Sequence, residues 1–166
     1  SGELFLILRN DNSPPNLLRV KVGTGLGDNA WHFFAITYDG SSDESGVNFY
    51  LDGTLTAHTV VNNNLTATIT NVIGARIGAT QATLNFYDGN WDELAIYDKE
   101  LSSVEVAAIY NLGVPPDLNL LSSASDLLSW WRMGDGDTFP TITDNKGVVD
   151  GTMINMEAGD FVADVP

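Results

Sequence analysis

The residues best suited to chemistry in this chain are carboxylates. Asp92 opens an apolar run, and Asp144, Asn145 and Asp150 fall in a stretch punctuated by Gly147 and Gly151. A hard cation such as calcium takes about six to eight oxygen ligands from carboxylates and loop carbonyls. Asp92, Asp144, Asn145 and Asp150 are therefore the candidate metal set, with Asp135 and Asp137 as weaker members. The same residue types also build turns, where an Asp or Asn side chain hydrogen-bonds its own nearby backbone. The spacing does not match an EF-hand loop, which needs a Glu at its twelfth position. A second group is aromatic. Tyr87 and Trp91 flank Asn90 beside a loop. Sugar sites commonly pair an aromatic face with polar acceptors, so Trp91, Tyr87 and Asn90 are the candidate ligand-binding residues.

Catalytic constellations are weak. Glycoside hydrolysis with retention needs two carboxylates about 5 Å apart. Asp92 and Glu93 are adjacent, and a strand points neighbours to opposite faces. Asp98 and Glu100 alternate correctly but lie where a strand gives way to a helix. The histidines are His32 and His58, and no Ser-His-Asp arrangement stands out. His32 sits inside an apolar run and reads as a packed or half-exposed residue. The Gly23-to-Gly27 stretch lacks the Lys and the following helix of a phosphate loop. No catalytic residue is assigned, and the chain is expected not to be an enzyme.

Composition narrows the partners. The chain has 166 residues, enough for one domain with a real core. Its formal net charge is −15, from 22 acidic and 7 basic residues, so nucleic acid is not an expected partner. No run approaches the ~18 apolar residues of a membrane span, so no membrane insertion is expected. There is no cysteine, which excludes disulfides and thiolate chemistry.

The elements that must position these residues are mostly short strands. Leu4–Leu8, Leu17–Val22, Trp31–Tyr38, Val47–Leu51 and Leu55–Val61 read as strands. Asn12 to Pro15 and Asp52-Gly53 read as turns between them. Thr66–Ile69, Val72–Ile77 and Thr83–Tyr87 are shorter candidates, and Trp91–Tyr97 is a clear one. Ser102 and Glu105 have capping-box spacing, which predicts a short helix near 102–111, stopped by Gly113 and Pro115-Pro116. Leu127–Met133 reads as a strand, Asp135 to Gly151 as a polar loop, and Thr152–Met156 as a last strand. Many strands, frequent turns and one small helix predict an all-β antiparallel sandwich.

Three segments carry a resemblance. Trp31-His32-Phe33-Phe34-Ala35-Ile36-Thr37-Tyr38-Asp39-Gly40, Val47-Asn48-Phe49-Tyr50-Leu51-Asp52-Gly53, and Trp91-Asp92-Glu93-Leu94-Ala95-Ile96-Tyr97 with Leu101-Ser102 follow in the order and spacing of laminin-G-like jelly rolls. The chain resembles that concanavalin A-like class over roughly residues 1–113. Leu128-Ser129-Trp130-Trp131-Arg132-Met133-Gly134-Asp135-Gly136 resembles the strand that normally opens such a domain, yet here it follows the helix. Either the sandwich is circularly permuted and the tail supplies its missing strand, or a second repeat begins. A tail from 114 to 166 is too short for a second sandwich, which favours permutation. The expected organisation is a sandwich over 1–113, a linker over 114–126, and a segment 127–166 completing the same sandwich. The usual front section of the family is missing before Ser1, so a fragment of a longer protein is expected. The tail is similar to C-terminal domains of marine bacteriophage structural proteins.

The resemblance implies a bound calcium ion bridging the Asp144 loop to the strand of Asp92. It implies a binding module of a virion or extracellular structural protein, directed at glycans or other surface components, with host attachment as one role. The competing role is structural decoration or assembly, as a homo-oligomer or part of a larger particle.

Overall fold

The computed structural model describes residues 2–12, 15–23, 25–66, 69, 76–81 and 84–162. Its contacts divide the chain into two compact units. The first comprises 1–70 and 99–126, the second 71–98 and 127–166.

The first unit holds two three-stranded antiparallel sheets. Strands β1 (Glu3–Asn12) and β2 (Pro15–Gly23) pair with Leu4 opposite Val22, Leu6 opposite Val20 and Leu8 opposite Leu18. Strands β3 (Phe34–Tyr38), β4 (Val47–Leu51) and β5 (Thr54–Thr56) form the other sheet, with Ile36 opposite Phe49. Alternation places one face of each sheet inward. Leu18, Val20, Val22, Val47, Phe49 and Leu65 form the buried cluster, and Leu4, Leu6, Leu8, Ile36 and Tyr38 pack against it. Each such fully buried side chain contributes about 1.5–3 kcal/mol.

The run expected as one strand over Leu55–Val61 is broken. β5 stays with β4, while β6 (Thr59–Asn63) pairs with β2. His58 lies at the break, 3.1 Å from a Glu44 carboxylate oxygen and with its ring 5.9 Å from that of Phe49. Asp52 and Gly53 both have positive φ, 47° and 73°, as a tight hairpin turn requires. Asp52 also ties the start of β3 to this turn, because its carboxylate accepts from Phe33 N–H at 2.9 Å.

Among the described residues there is one α-helix, α1 (Ser103–Tyr110). The capping box forms: Ser102 Oγ accepts from Glu105 N–H, and Ser102 N–H donates to Glu105 Oε2 at 2.8 Å. Asn111 ends the helix in the left-handed conformation, two residues before the expected stop at Gly113. Val106 is fully buried, and the Tyr110 ring lies 5.5 Å from Phe33. The stretch expected as a linker contains a 3-10 turn, Leu118–Leu120, with Leu118 and Ser123 buried, and groups with the first unit.

Among its described residues the second unit contains three two-stranded antiparallel pairs. They are β7 (Ala79–Gln81) with β8 (Leu84–Phe86), β9 (Leu94–Tyr97) with β10 (Leu127–Trp131), and β11 (Thr141–Ile142) with β12 (Gly151–Thr152). The tail strand thus pairs directly with the strand that follows Asp92. β9 starts three residues later than expected, because Glu93 has φ +52° and interrupts extended backbone. β10 stops before Met133, whose φ is +51°. The expected polar loop gains the β11–β12 pair, and the last strand shortens to Gly151–Thr152. Of the other expected strands, Thr66–Ile69 and Val72–Ile77 fall largely outside the described residues, as does Thr83 of Thr83–Tyr87.

Candidate functional site

All the sequence-derived candidates lie in the second unit. Asp144 follows β11 and lies beside β10, with Asn145 N–H donating to Trp130 O at 2.7 Å. Asp144 is 7% exposed. Its Oδ1 accepts from the backbone N–H groups of Trp130 (2.9 Å), Lys146 (3.0 Å) and Gly147 (2.9 Å), and its Oδ2 from Val149 N–H at 3.3 Å. Burial pushes this carboxyl up, but the N–H donors of Gly147, Trp130 and Lys146, with the Ser129 hydroxyl, outweigh it and hold it well below the usual carboxylate range. The Asp144 N–H in turn donates to Asp150 Oδ1 at 2.9 Å. Asp150 and Asn145 are exposed, and the Asn145 side-chain amide donates to Thr143 O at 3.2 Å. Asp137 staples the preceding turn, accepting from Gly134 N–H and Thr143 N–H.

Asp92 has a different environment. It is half-buried, and its Oδ1 accepts from Glu93 N–H at 3.0 Å. Burial first, then the neighbouring Glu93 and Asp135 carboxylates, push it up to about 6, against a smaller opposing pull from the Glu93 N–H and Arg132. The structure therefore gives Asp144 and Asp92 opposite electrostatics. Among the described residues no group of three or more His, Cys, Asp or Glu side chains is placed to hold a metal ion.

Glu93 is a residue that sequence reasoning missed. Its carboxylate accepts from Trp130 Nε1 at 2.6 Å and from Arg132 Nε at 3.0 Å. Arg132 also pairs with Asp135 at 2.6 Å and lies over the Trp130 ring, 5.3 Å from its centroid. In the sequence, Asp92-Glu93 reads as plain strand, and the contacts of Glu93 with Trp130 and Arg132 are tertiary.

The aromatic candidates do come together. The Tyr87 and Trp91 rings lie 5.0 Å apart, tilted by 51°. Tyr87 is 56% exposed and Trp91 half-buried, while Asp88 and Asn90 between them are exposed. Gly89 lets the Tyr87 ring fold over the backbone, since a Cβ there would stand 2.7 Å from Tyr87 Cε1. Tyr87 N–H donates to Gly78 O at 2.7 Å, which fixes the loop carrying the ring.

A profile of the concanavalin A-like lectin/glucanases superfamily matches residues 1–107. The chain belongs to that superfamily. Comparison with curated proteins and with solved structures gave no match. The matched region spans all of the first unit's sheets, α1 as far as Ala107, and the Tyr87-to-Tyr97 segment of the second unit. No helix among the described residues is long and apolar enough to cross a membrane.

Proposed function

We propose that the chain is a non-enzymatic saccharide-binding module, displayed outside the cell or on a virion, with the Tyr87–Trp91 pair as its contact face. The observation that carries this reading is the exposed Tyr87 ring, backed by Gly89 and edged by Trp91, with the Asp88 and Asn90 side chains free to meet hydroxyl groups. Sugars present apolar C–H faces and polar rims, and an aromatic ring with flanking acceptors is complementary to both. Membership of a lectin-containing superfamily supports the reading. The test is binding of the full chain to an immobilised saccharide panel, followed by calorimetry on any hit. Tyr87→Ala is expected to weaken binding by about tenfold or more, equivalent to about 1.4 kcal/mol. Val148→Ala, at a 96% exposed position away from the aromatic pair in sequence, is expected to leave it unchanged. Unaltered affinity in Tyr87→Ala would refute the assignment.

A second reading, assembly through another chain, is favoured by β6. Among the described residues it is one edge of the sheet β1-β2-β6, and its residues Thr59–Asn63 are all exposed, Val60 and Val61 included. Edges of this kind pair readily with other strands. Sedimentation at rising concentration separates the readings: a constant monomer removes the second.

A further inference from the structure

We infer that the Asp144 carboxylate is an internal anion seated in a cradle of main-chain N–H donors, and that this cradle, rather than a cation, closes the 144–150 loop. A bound cation requires carboxylate lone pairs turned toward the ion. At Asp144 they are turned toward donors. Three N–H groups converge on Oδ1 within 2.9–3.0 Å, one reaches Oδ2 at 3.3 Å, and Ser129 adds its hydroxyl. Each donor presents the positive end of its dipole, so the pocket attracts an anion and repels a cation. The other candidate ligands each make a single hydrogen bond to nearby backbone. Asp150 Oδ1 takes the Asp144 N–H, Asp92 Oδ1 takes the Glu93 N–H, and Asn145 turns its amide donor to Thr143 O.

The cradle is also sterically closed. A Cβ on Gly147 would stand 2.6 Å from Asp144 Oδ2 and 2.7 Å from Leu128 O, so the loop passes close against both. The carboxylate thus bonds to β10 through Trp130 and to its own loop through Lys146, Gly147 and Val149. It joins the 144–150 loop to β10 without a metal.

Chemical rescue of the full chain tests this assignment. Asp144→Ala empties the cradle and leaves its donors unpaired, and the melting midpoint is expected to fall on the order of 10 °C. Sodium formate, a small carboxylate, is expected to recover at least half of that loss, whereas sodium chloride at equal ionic strength recovers less. The wild type is expected to melt at the same temperature in millimolar calcium and in excess chelator. A folded Asp144→Ala that formate does not stabilise beyond chloride overturns the inference. So does a wild-type midpoint that rises by several degrees with calcium and falls with chelator, because a ligand held only by the folded state stabilises it. If Asp144→Ala does not fold, the wild-type calcium and chelator comparison decides alone.

Discussion

Replacing Gly147 with alanine adds one methyl group to a place with no room for it. The new Cβ would lie 2.6 Å from Asp144 Oδ2, 2.7 Å from Leu128 O and 3.3 Å from Ser129 Oγ. Gly147 is not in the left-handed region, so alanine adopts its backbone without strain and the cost is steric. None of the three neighbours yields easily. Leu128 O belongs to a strand, and Asp144 is pinned by four N–H groups. Overpacking of this kind costs about 1–3 kcal/mol. Pushing the loop away also weakens the Gly147 N–H bond to a charged acceptor, a further 1.5–3 kcal/mol or so. A total of about 4 kcal/mol corresponds to a fall in melting midpoint of roughly 8–16 °C for a chain of this size. The assay is thermal unfolding followed by near-ultraviolet circular dichroism, which reports on Trp130 and Trp131 beside the loop. The control is Gly159→Ala in the same unit, where a Cβ meets nothing within 4 Å and little change is expected. A Gly147→Ala protein that melts with the Gly159→Ala control would refute the packing around Asp144.

Gly53→Ala is expected to destabilise the first unit by about 2 kcal/mol, since φ is +73° and a Cβ would stand 2.5 Å from Tyr110 Cδ1; denaturant titration measures it. Ser102→Ala removes the helix cap and is expected to cost about 1 kcal/mol in the same assay. His32 has Asp52 on Nδ1 at 2.9 Å and Asp28 on Nε2 at 3.1 Å, and these carboxylates raise its pKa above 6.5. Its stabilisation is therefore complete below the unfolded-state value and lost as pH rises through the folded one, so the stability gap between wild type and His32→Asn is expected to shrink with rising pH. Asp92, pushed up to about 6 mainly by burial, destabilises the fold once ionised, and stability falls as pH climbs from the ordinary carboxylate value toward 6. Asp92→Asn keeps the Oδ1 acceptor and is expected to be more stable at neutral pH by on the order of 1 kcal/mol, after allowing for partial exposure; a less stable variant would contradict this.

The sequence disclosed the periodic parts of this fold. Alternation in Leu17–Val22 and Val47–Leu51 marked strands because each buries one face, and Ser102 with Glu105 marked the helix start because capping is local chemistry. Boundaries set by single left-handed residues were not legible. Nothing in the residue type of Glu93 or Met133 announces a positive φ, so β9 and β10 were read too long. The break at His58 was hidden for another reason: the contacts with Glu44 and Phe49 that accompany it are tertiary. At the candidate site, Tyr87 and Trp91 are four residues apart in sequence and their rings lie 5.0 Å apart. Spacing could not tell what the oxygens of Asp144 would meet, since four of its donors are main-chain groups that every residue carries.

The contrast between the two carboxylates bears on where function resides. Asp144 is buried and amply solvated by N–H donors, so its burial is repaid locally and it stabilises the loop. Asp92 has one backbone donor and acidic neighbours, and sits at an energetic cost. Glu93 beside it holds a left-handed backbone conformation, and its carboxylate is spent on Trp130 and Arg132. Strain and an unfavourable charge thus fall on adjacent residues that precede β9. Asp92 is replaceable at a gain in stability, so a binding loss in Asp92→Asn would report on recognition rather than on folding.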